Sequence, residues 1–302
     1  MMPTSAEARD GMAIVTAYHH NSSTWYMKHW YVSDPFRSYL NSMRLLFRLV
    51  LSLKRVKTQL PMHVLVSGDR HAPFEEWLTR QGVRLIPSNF QLVKPRDTHV
   101  ASASDLSIRL PAWVNRHFRG TFAKFQALSL IQFRQIVVLD ADVVALHNID
   151  HLAHAPAPSF AFRWDCHHPS AYEQKPTQAW EMNSGVMVLR PSRSQHKRLI
   201  ALLNDPLRSK RLALMSDPSD QSVWRHFFTH VFELPQTYNA QRHVNFSVAG
   251  WEQDVLLLHD VDVHRNKPLP NRRADRIVSN LTAAAASEVR ILCEQYGIAD
   301  RG

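Results

Sequence analysis

Three features of the 302-residue sequence predict an α/β fold built on a single Rossmann-like mixed sheet with helices on both faces. From Met12 to Ile86, apolar segments alternate between strand-like and helix-like spacing, the order that builds a sheet with crossover helices. The run Ile136-Val137-Val138-Leu139 is apolar without interruption, as a strand buried on both faces must be. It leads directly into Asp140-Ala141-Asp142, and ligands of open α/β sheets bind outside the carboxyl ends of the strands. Carboxylates at i and i+2 leave extended backbone on the same side. Two like charges so placed form a clamp for a hard divalent cation. A solvated turn carrying two acids is the plainer alternative.

Taken in order, Met12 to Thr16 reads as a short opening strand followed by a polar loop with Tyr18, His19 and His20. No Gly-x-Gly-x-x-Gly follows it, and the eight glycines of the chain show no such spacing, which excludes the dinucleotide fingerprint and a phosphate-cradling glycine loop. Ser38 to Lys57 is helical, with Leu45, Leu46, Leu49, Val50 and Leu53 on one face and Arg44, Arg48 and Lys54 expected opposite. His63 to Val66 is a strand, Pro73 to Gln81 a helix stopped by Gly82, and Val83 to Ile86 a strand. Gln91 to Arg119 is long and irregular, the kind of loop that is functional or mobile. Thr121 to Phe133 is expected as a helix with Phe122, Phe125, Leu128 and Leu130 on its apolar face.

After the acid-bearing strand, Asn148 is a candidate cap for a short turn or helix. Phe160 to Phe162 is a strand, Cys166 to Glu181 a second irregular loop, and Asn183 to Leu189 a polar turn leading into a buried strand. Ser192 to Leu203 and Ser219 to Phe228 read as helices. Val255 to His259 is the last apolar strand and ends in a histidine beside the sheet. Leu281 to Tyr296 is a C-terminal helix. The expected division is a flexible tail at 1–10, one domain over 11–278 and a C-terminal helix or tail over 279–302.

Composition narrows the classes. Apolar residues make up 45% and charged residues 21%, ordinary for a globular chain that buries ~75% of its extended surface at this length. No run of 18 apolar residues occurs, which argues against a spanning helix. The polar start and two cysteines, Cys166 and Cys293, point to a cytoplasmic setting. The formal net charge of +10 calls for an anionic partner. The basic clusters at 193–211 and 264–276 lack interleaved aromatics, so nucleic acid is disfavoured.

The order of motifs resembles glycosyltransferase family 8, the glycogenin-like and galactinol-synthase-like retaining enzymes of the GT-A fold. The matching residues are Val137-Val138-Leu139-Asp140-Ala141-Asp142, Asn148-Ile149-Asp150-His151-Leu152, Met182-Asn183-Ser184-Gly185-Val186-Met187-Val188, Asp220-Gln221, Leu234-Pro235 with Tyr238-Asn239, and His259 with Lys267-Pro268. The likeness extends from Gly11 to Pro270. It implies a metal-dependent transfer, with retention, of a sugar from a UDP-sugar to a hydroxyl of a glycan, polyol or protein. It also implies Mn²⁺, with Mg²⁺ as a substitute, held by Asp140, Asp142 and His259. Two carboxylate oxygens and one imidazole nitrogen suit such an ion, which stabilises a diphosphate leaving group.

By the same resemblance, Thr16, Ala17, Tyr18, Lys124, Asp140, Ala141, Gly185 and Lys267 contact the donor, while Asp165, Asn183, Asp220 and Gln221 surround the transferred sugar. Carboxylates and amides suit that task because they bind hydroxyls and stabilise positive charge near the anomeric carbon. Asn183 as a turn residue, Asp220 as a helix cap and Lys124 as a snorkelling side chain are the plainer alternatives. The chain departs from the family in Asp260 to Asn266, which holds no glycine and is longer than in relatives, so Arg265 or His264 are alternatives to Lys267 on the phosphates. The acceptor surface is expected in the two irregular loops, with Trp113, Tyr172 and Trp180 as stacking candidates, and a homodimer is compatible with the sequence.

Rival chemistries have less support. Glycoside hydrolysis wants carboxyls across the substrate, ~5–9.5 Å apart, not on one turn. No Gly-x-Ser-x-Gly supports a serine hydrolase. His147, His151 and His154 are read as surface residues, not zinc ligands. The non-enzymatic rival is a basic carbohydrate- or nucleic-acid-binding protein on the same fold.

Overall fold

The computed structural model describes residues 11–20, 35–68, 71–88, 116–162, 182–205, 220–241, 255–259 and 272–297. Asp165, Lys267, the segment 260–266 and the stacking candidates Trp113, Tyr172 and Trp180 lie outside the described residues.

The main sheet has seven strands: β1 (Met12–His20), β2 (Met62–Gly68), β3 (Arg84–Pro87), β4 (Gln135–Leu139), β6 (Ser159–Phe162), β7 (Met182–Leu189) and β8 (Phe232–Glu233), in the order β3-β2-β1-β4-β7-β6-β8. β1 pairs in parallel with both β2 and β4, whereas β7 runs antiparallel to β4 and to β6. The sheet is therefore mixed, as the sequence predicts. Strand order reverses between β1 and β4, the switch point outside whose strand carboxyl ends ligands of open α/β sheets bind. A second sheet, not anticipated, joins β5 (Val143–Ala145), β10 (Leu257–His259) and β9 (Ala240–Gln241) in the order β5-β10-β9.

Side-chain alternation along β4 explains the layers. Val137 and Leu139 face a core shared with α1 (Pro35–Arg55), α2 (Ala72–Arg80) and α5 (Arg272–Gln295). Ile136 and Val138 face a second core, shared with the segment Arg116–Ser129, α3 (Arg193–Asn204) and α4 (Asp220–Phe227). All five residues of β4 are buried, as a strand covered on both faces requires. Phe47 of α1 stacks on Trp77 of α2 at 3.6 Å between ring centroids. On the opposite face Trp224 is fully buried against Phe125, Phe160 and Phe228. Each such side chain contributes about 1.5–3 kcal/mol through its burial.

Three differences from the sequence reading have physical causes. Arg116–Ser129 winds as a 3-10 helix; with three residues per turn, Phe122, Phe125 and Leu128 fall in one line and all bury against the sheet. Arg48, expected on the solvent face of α1, is buried at 3% exposure. The C-terminal helix starts at Arg272, ahead of the expected Leu281, and buries Val278, Leu281, Ala285, Val289 and Leu292. Asn148 is not the cap: Ile149 holds the N-cap position of the short 3-10 helix Asp150–His154 without a side-chain hydrogen bond. Asn148 Oδ1 instead accepts from Asp150 N–H at 2.9 Å in a turn before it, and its amide donates to Val56 and Lys57 just past α1. Gly82 does end its helix segment, at φ +83°, a conformation that costs glycine little. Among the described residues, no helix is long and apolar enough to cross a membrane.

Candidate functional site

β4 delivers the acid pair to the switch point. Asp140 N–H donates to Gly185 C=O at 2.8 Å, and Val143 N–H to Asp140 C=O at 3.1 Å, which closes a turn around Ala141 and Asp142. β5 follows at once and pairs antiparallel with β10, with Val143 opposite His259. That register brings the histidine beside Asp142, and His259 Nε2 lies 3.2 Å from Asp142 Oδ1. On the other side of the ring, His259 Nδ1 meets Asn239 Oδ1 at 2.9 Å. An amide oxygen only accepts, so Nδ1 carries a proton; Nε2 is left facing Asp142, donating to that carboxylate while the ring is charged and offering its lone pair to a cation once the ring is neutral.

One donor atom from each of Asp140, Asp142 and His259 lies within 4.8 Å of the others. Ligands about 2.0–2.2 Å from a common centre lie at most ~4.4 Å apart, so these atoms, drawn slightly together, fit a divalent cation. Their electrostatics point the same way. Burial raises Asp140, and the Asp142 and Asp220 charges add to it against the pull of Lys124. Burial also opposes ionisation of Asp142, but His259 overcomes it and holds that carboxyl below its ordinary value. His259 is raised: burial acts against its charge, and the Asp142 carboxylate prevails. Acids outnumber bases here, a balance that a bound cation would correct.

Gly185 is needed where it stands. A Cβ on it would lie 2.4 Å from His259 Cε1, 2.7 Å from Nδ1 and 2.8 Å from Asn183 Oδ1. Asn183 Oδ1 itself accepts from Gly185 N–H at 2.8 Å, so Asn183 is part of the strand wall and not a loose turn residue.

The second half of the site is organised by Lys124. Its ammonium, 3% exposed, lies 2.8 Å from Asp140 Oδ1 and 3.0 Å from Asp220 Oδ2, and it donates to Ser184 Oγ at 3.1 Å. Burial alone would lower this lysine, but the two carboxylates outweigh it and hold it well above its ordinary value. It does not snorkel. Asp220 is the first residue of α4, and its neighbour Gln221 accepts Ser184 N–H at 3.2 Å. Arg225, one turn further on, donates from Nη2 to Met182 C=O at 2.8 Å. α4 is thus fastened along β7 by one residue per turn.

Of the predicted donor residues, Thr16 and Tyr18 are buried on β1, and Tyr18 packs its ring against Tyr39. Ala17 and Ala141 are half-buried. His147, His151 and His154 are exposed, as expected, and His151 Nε2 lies 2.7 Å from Tyr238 Oη. Asn239 and Ser184 carry contacts that residue-by-residue reading assigned to neither; both stood inside quoted motifs, but nothing local marks an asparagine as the partner of a distant histidine.

No family model matches the chain. Comparison with solved structures finds the galactosyltransferase LgtC bound to donor and acceptor sugar analogs, at 15% identity and a TM-score of 0.58, over 90% of this chain and 96% of that one. The bifunctional glycosyltransferase WbbM follows at 12% identity and a TM-score of 0.59, over 97% of this chain and 53% of that one. The fold is GT-A. The glycosyltransferase GlyE of Streptococcus pneumoniae TIGR4 superposes on this GT-A chain at 17% identity and a TM-score of 0.55, over 94% of it and 63% of GlyE.

In sequence, the GT-A chain is 26% identical over 140 residues to an Arabidopsis thaliana protein assigned as UDP-glucuronate:xylan alpha-glucuronosyltransferase 3, covering 46% of this chain and 18% of that protein. It is 25% identical over 166 residues to uncharacterized protein R707 of Acanthamoeba polyphaga mimivirus, covering 52% of this chain and 54% of that protein. The chain spans about a fifth and about half of the length of these two relatives.

Proposed function

We propose that this chain is a metal-dependent, retaining glycosyltransferase of family 8 that moves a sugar from a UDP-sugar to a hydroxyl acceptor. One observation carries the reading: Asp140, Asp142 and His259 converge within 4.8 Å at the switch point of a GT-A sheet, and Lys124 joins that cluster to Asp220. Asp140, Asp142 and His259 would hold Mn²⁺, or Mg²⁺ in its place, which as a Lewis acid and template supplies charge for a diphosphate leaving group.

The rest of the work falls to side chains. Asn239 holds His259 in the tautomer whose Nε2 accepts. Gly185 keeps β7 low enough for the imidazole to lie over it. Lys124 fixes Asp140 on one side and Asp220 on the other, so cation site and sugar site keep one spacing. Asp220, Gln221 and Asn183 present a carboxylate and two amides to sugar hydroxyls and to positive charge near the anomeric carbon. Asp165 and Lys267 belong to the same reading on the strength of the sequence resemblance, the first at the sugar and the second at the phosphates. β1, through Thr16, Ala17 and Tyr18, supplies the wall beside the nucleoside.

The test is Mn²⁺-dependent hydrolysis and transfer across a panel of UDP-sugars. The expected outcome is turnover with at least one donor, its loss in the absence of divalent cation, and its loss in Asp142→Asn with folding intact. Turnover that survives both removal of divalent cation and the Asp142→Asn change would overturn the reading.

A further inference from the structure

α1 carries a polar stripe that is buried at Arg48 and Ser52 and reaches the surface at Arg55. Arg48, Ser52 and Arg55 stand at i, i+4 and i+7, one line on the helix surface. All three are directed at the segment that follows the acid pair. Arg48 Nη2 donates to Asp142 C=O at 3.4 Å. Ser52 Oγ, fully buried, accepts from Ala145 N–H at 3.0 Å and donates to Leu49 C=O at 2.7 Å. Arg55 Nη2 donates to Ala145 C=O at 3.1 Å and to Leu146 C=O at 2.7 Å. The stripe therefore follows the chain from Asp142, through β5, to Leu146. β5 is also the strand whose pairing with β10 sets His259 beside Asp142.

We infer that this stripe is the positioning element of the cation clamp, with Arg48 as its decisive residue. The inference rests on the metal reading proposed above. Arg48 is 3% exposed, and a charge is not taken out of water in a helix core without a compensating role. Its rigid fork has two ends in use: one on the Asp142 backbone, the other donating from Nη1 to Thr282 Oγ1 of α5 at 3.3 Å. The guanidinium thus ties the acid turn to two helices at once. The geometry carries a further consequence: the C-terminal helix, far along the chain from the acid pair, contributes to the placement of Asp142 through Thr282.

The experiment is titration of the full chain with Mn²⁺ alone, followed by calorimetry and by the electron paramagnetic resonance signal of free Mn²⁺. Arg48→Met is expected to weaken Mn²⁺ binding by about tenfold or more, the range seen when a group supporting a metal ligand is lost. Arg48→Lys, which keeps the charge but loses the fork, should recover part of that affinity. Leu46→Ala, a cavity in the same helix on its fully buried apolar side, should lower the unfolding midpoint and leave Mn²⁺ affinity unchanged. Where Arg48→Met does not fold, Thr282→Val reads the same link from α5 and should weaken Mn²⁺ binding to a smaller extent. Wild-type affinity in both Arg48→Met and Thr282→Val, or an equal loss in Leu46→Ala, overturns the inference. No Mn²⁺ binding by the wild-type chain overturns the metal reading and this one with it.

Discussion

Asn239 Oδ1 lies 2.9 Å from His259 Nδ1, while Asp142 Oδ1 faces the other ring nitrogen at 3.2 Å. The imidazole is held from both sides, and the two contacts have different jobs. Asn239, 2% exposed, fixes tautomer and ring angle, and the second nitrogen is left to bind. Asn239→Leu should therefore weaken Mn²⁺ binding by roughly 10–100-fold, whereas Asn239→Asp, which keeps an acceptor, should stay close to wild type. Isothermal titration of the two variants separates tautomer control from simple packing; equal losses in both would refute it.

Gly185 gives a steric prediction. Because an added Cβ would sit 2.4 Å from His259 Cε1, Gly185→Ala must push the ring, β7 or both. Overpacking of this kind costs about 1–3 kcal/mol, measurable as a lowered urea midpoint. Cation binding should fall with it, since the displaced atom belongs to the clamp. A variant as stable as wild type with unchanged Mn²⁺ affinity would show that the strand yields freely.

Lys124 sits between two acids, and Asp220 is only 3% exposed. Removing the lysine leaves a buried carboxylate without its cation, a change that costs about 3–5 kcal/mol. Lys124→Met should be strongly destabilised, and Lys124→Met/Asp220→Asn should be more stable than the sum of the two single changes. Urea unfolding of the four proteins gives the coupling, expected at about 0.5–3 kcal/mol. Strict additivity would mean that Lys124 and Asp220 do not act as a unit.

His196 supplies a pH dependence away from the site. Burial lowers its pKa in the folded chain, so the folded state resists a proton that the unfolded state accepts. Above about 6.5 both states are neutral and the residue contributes no slope. As pH falls below that value the unfolded chain is protonated first, and stability is lost until the folded value is passed. Unfolding midpoints measured from pH 8 to pH 5 should decline, and His196→Phe should remove part of the decline. An unchanged slope in that variant would assign the acid sensitivity elsewhere.

Much of the architecture was present in local pattern. Period-two and period-3.6 apolar spacing gave most of the main-sheet strands and helices, because side-chain direction repeats with the backbone. β1 runs on through Tyr18 to His20, the C-terminal helix starts nine residues before Leu281, and the short strands β5, β8 and β9 were not anticipated. The 3-10 winding at Arg116–Ser129 escaped, since Phe122, Phe125 and Leu128 fit an α-helical face almost as well as a three-residue line. Arg48 escaped for a related reason. An arginine among leucines reads as the wet side of a helix, and only α5 and the Asp142 turn closing over it turn that side inward.

The sequence by itself determined a buried strand running into two acids, a helix opening with Asp220-Gln221 and a glycine at 185, because each is a property of adjacent residues. Tertiary structure alone decided that β5 pairs with β10, that Asn239 stands behind His259, and that Lys124 bridges Asp140 to Asp220. Those contacts join residues remote along the chain, and which remote residues meet is set by how the two sheets and their helices bury their apolar faces together. The acid pair was legible from the start, and packing settled what it faces.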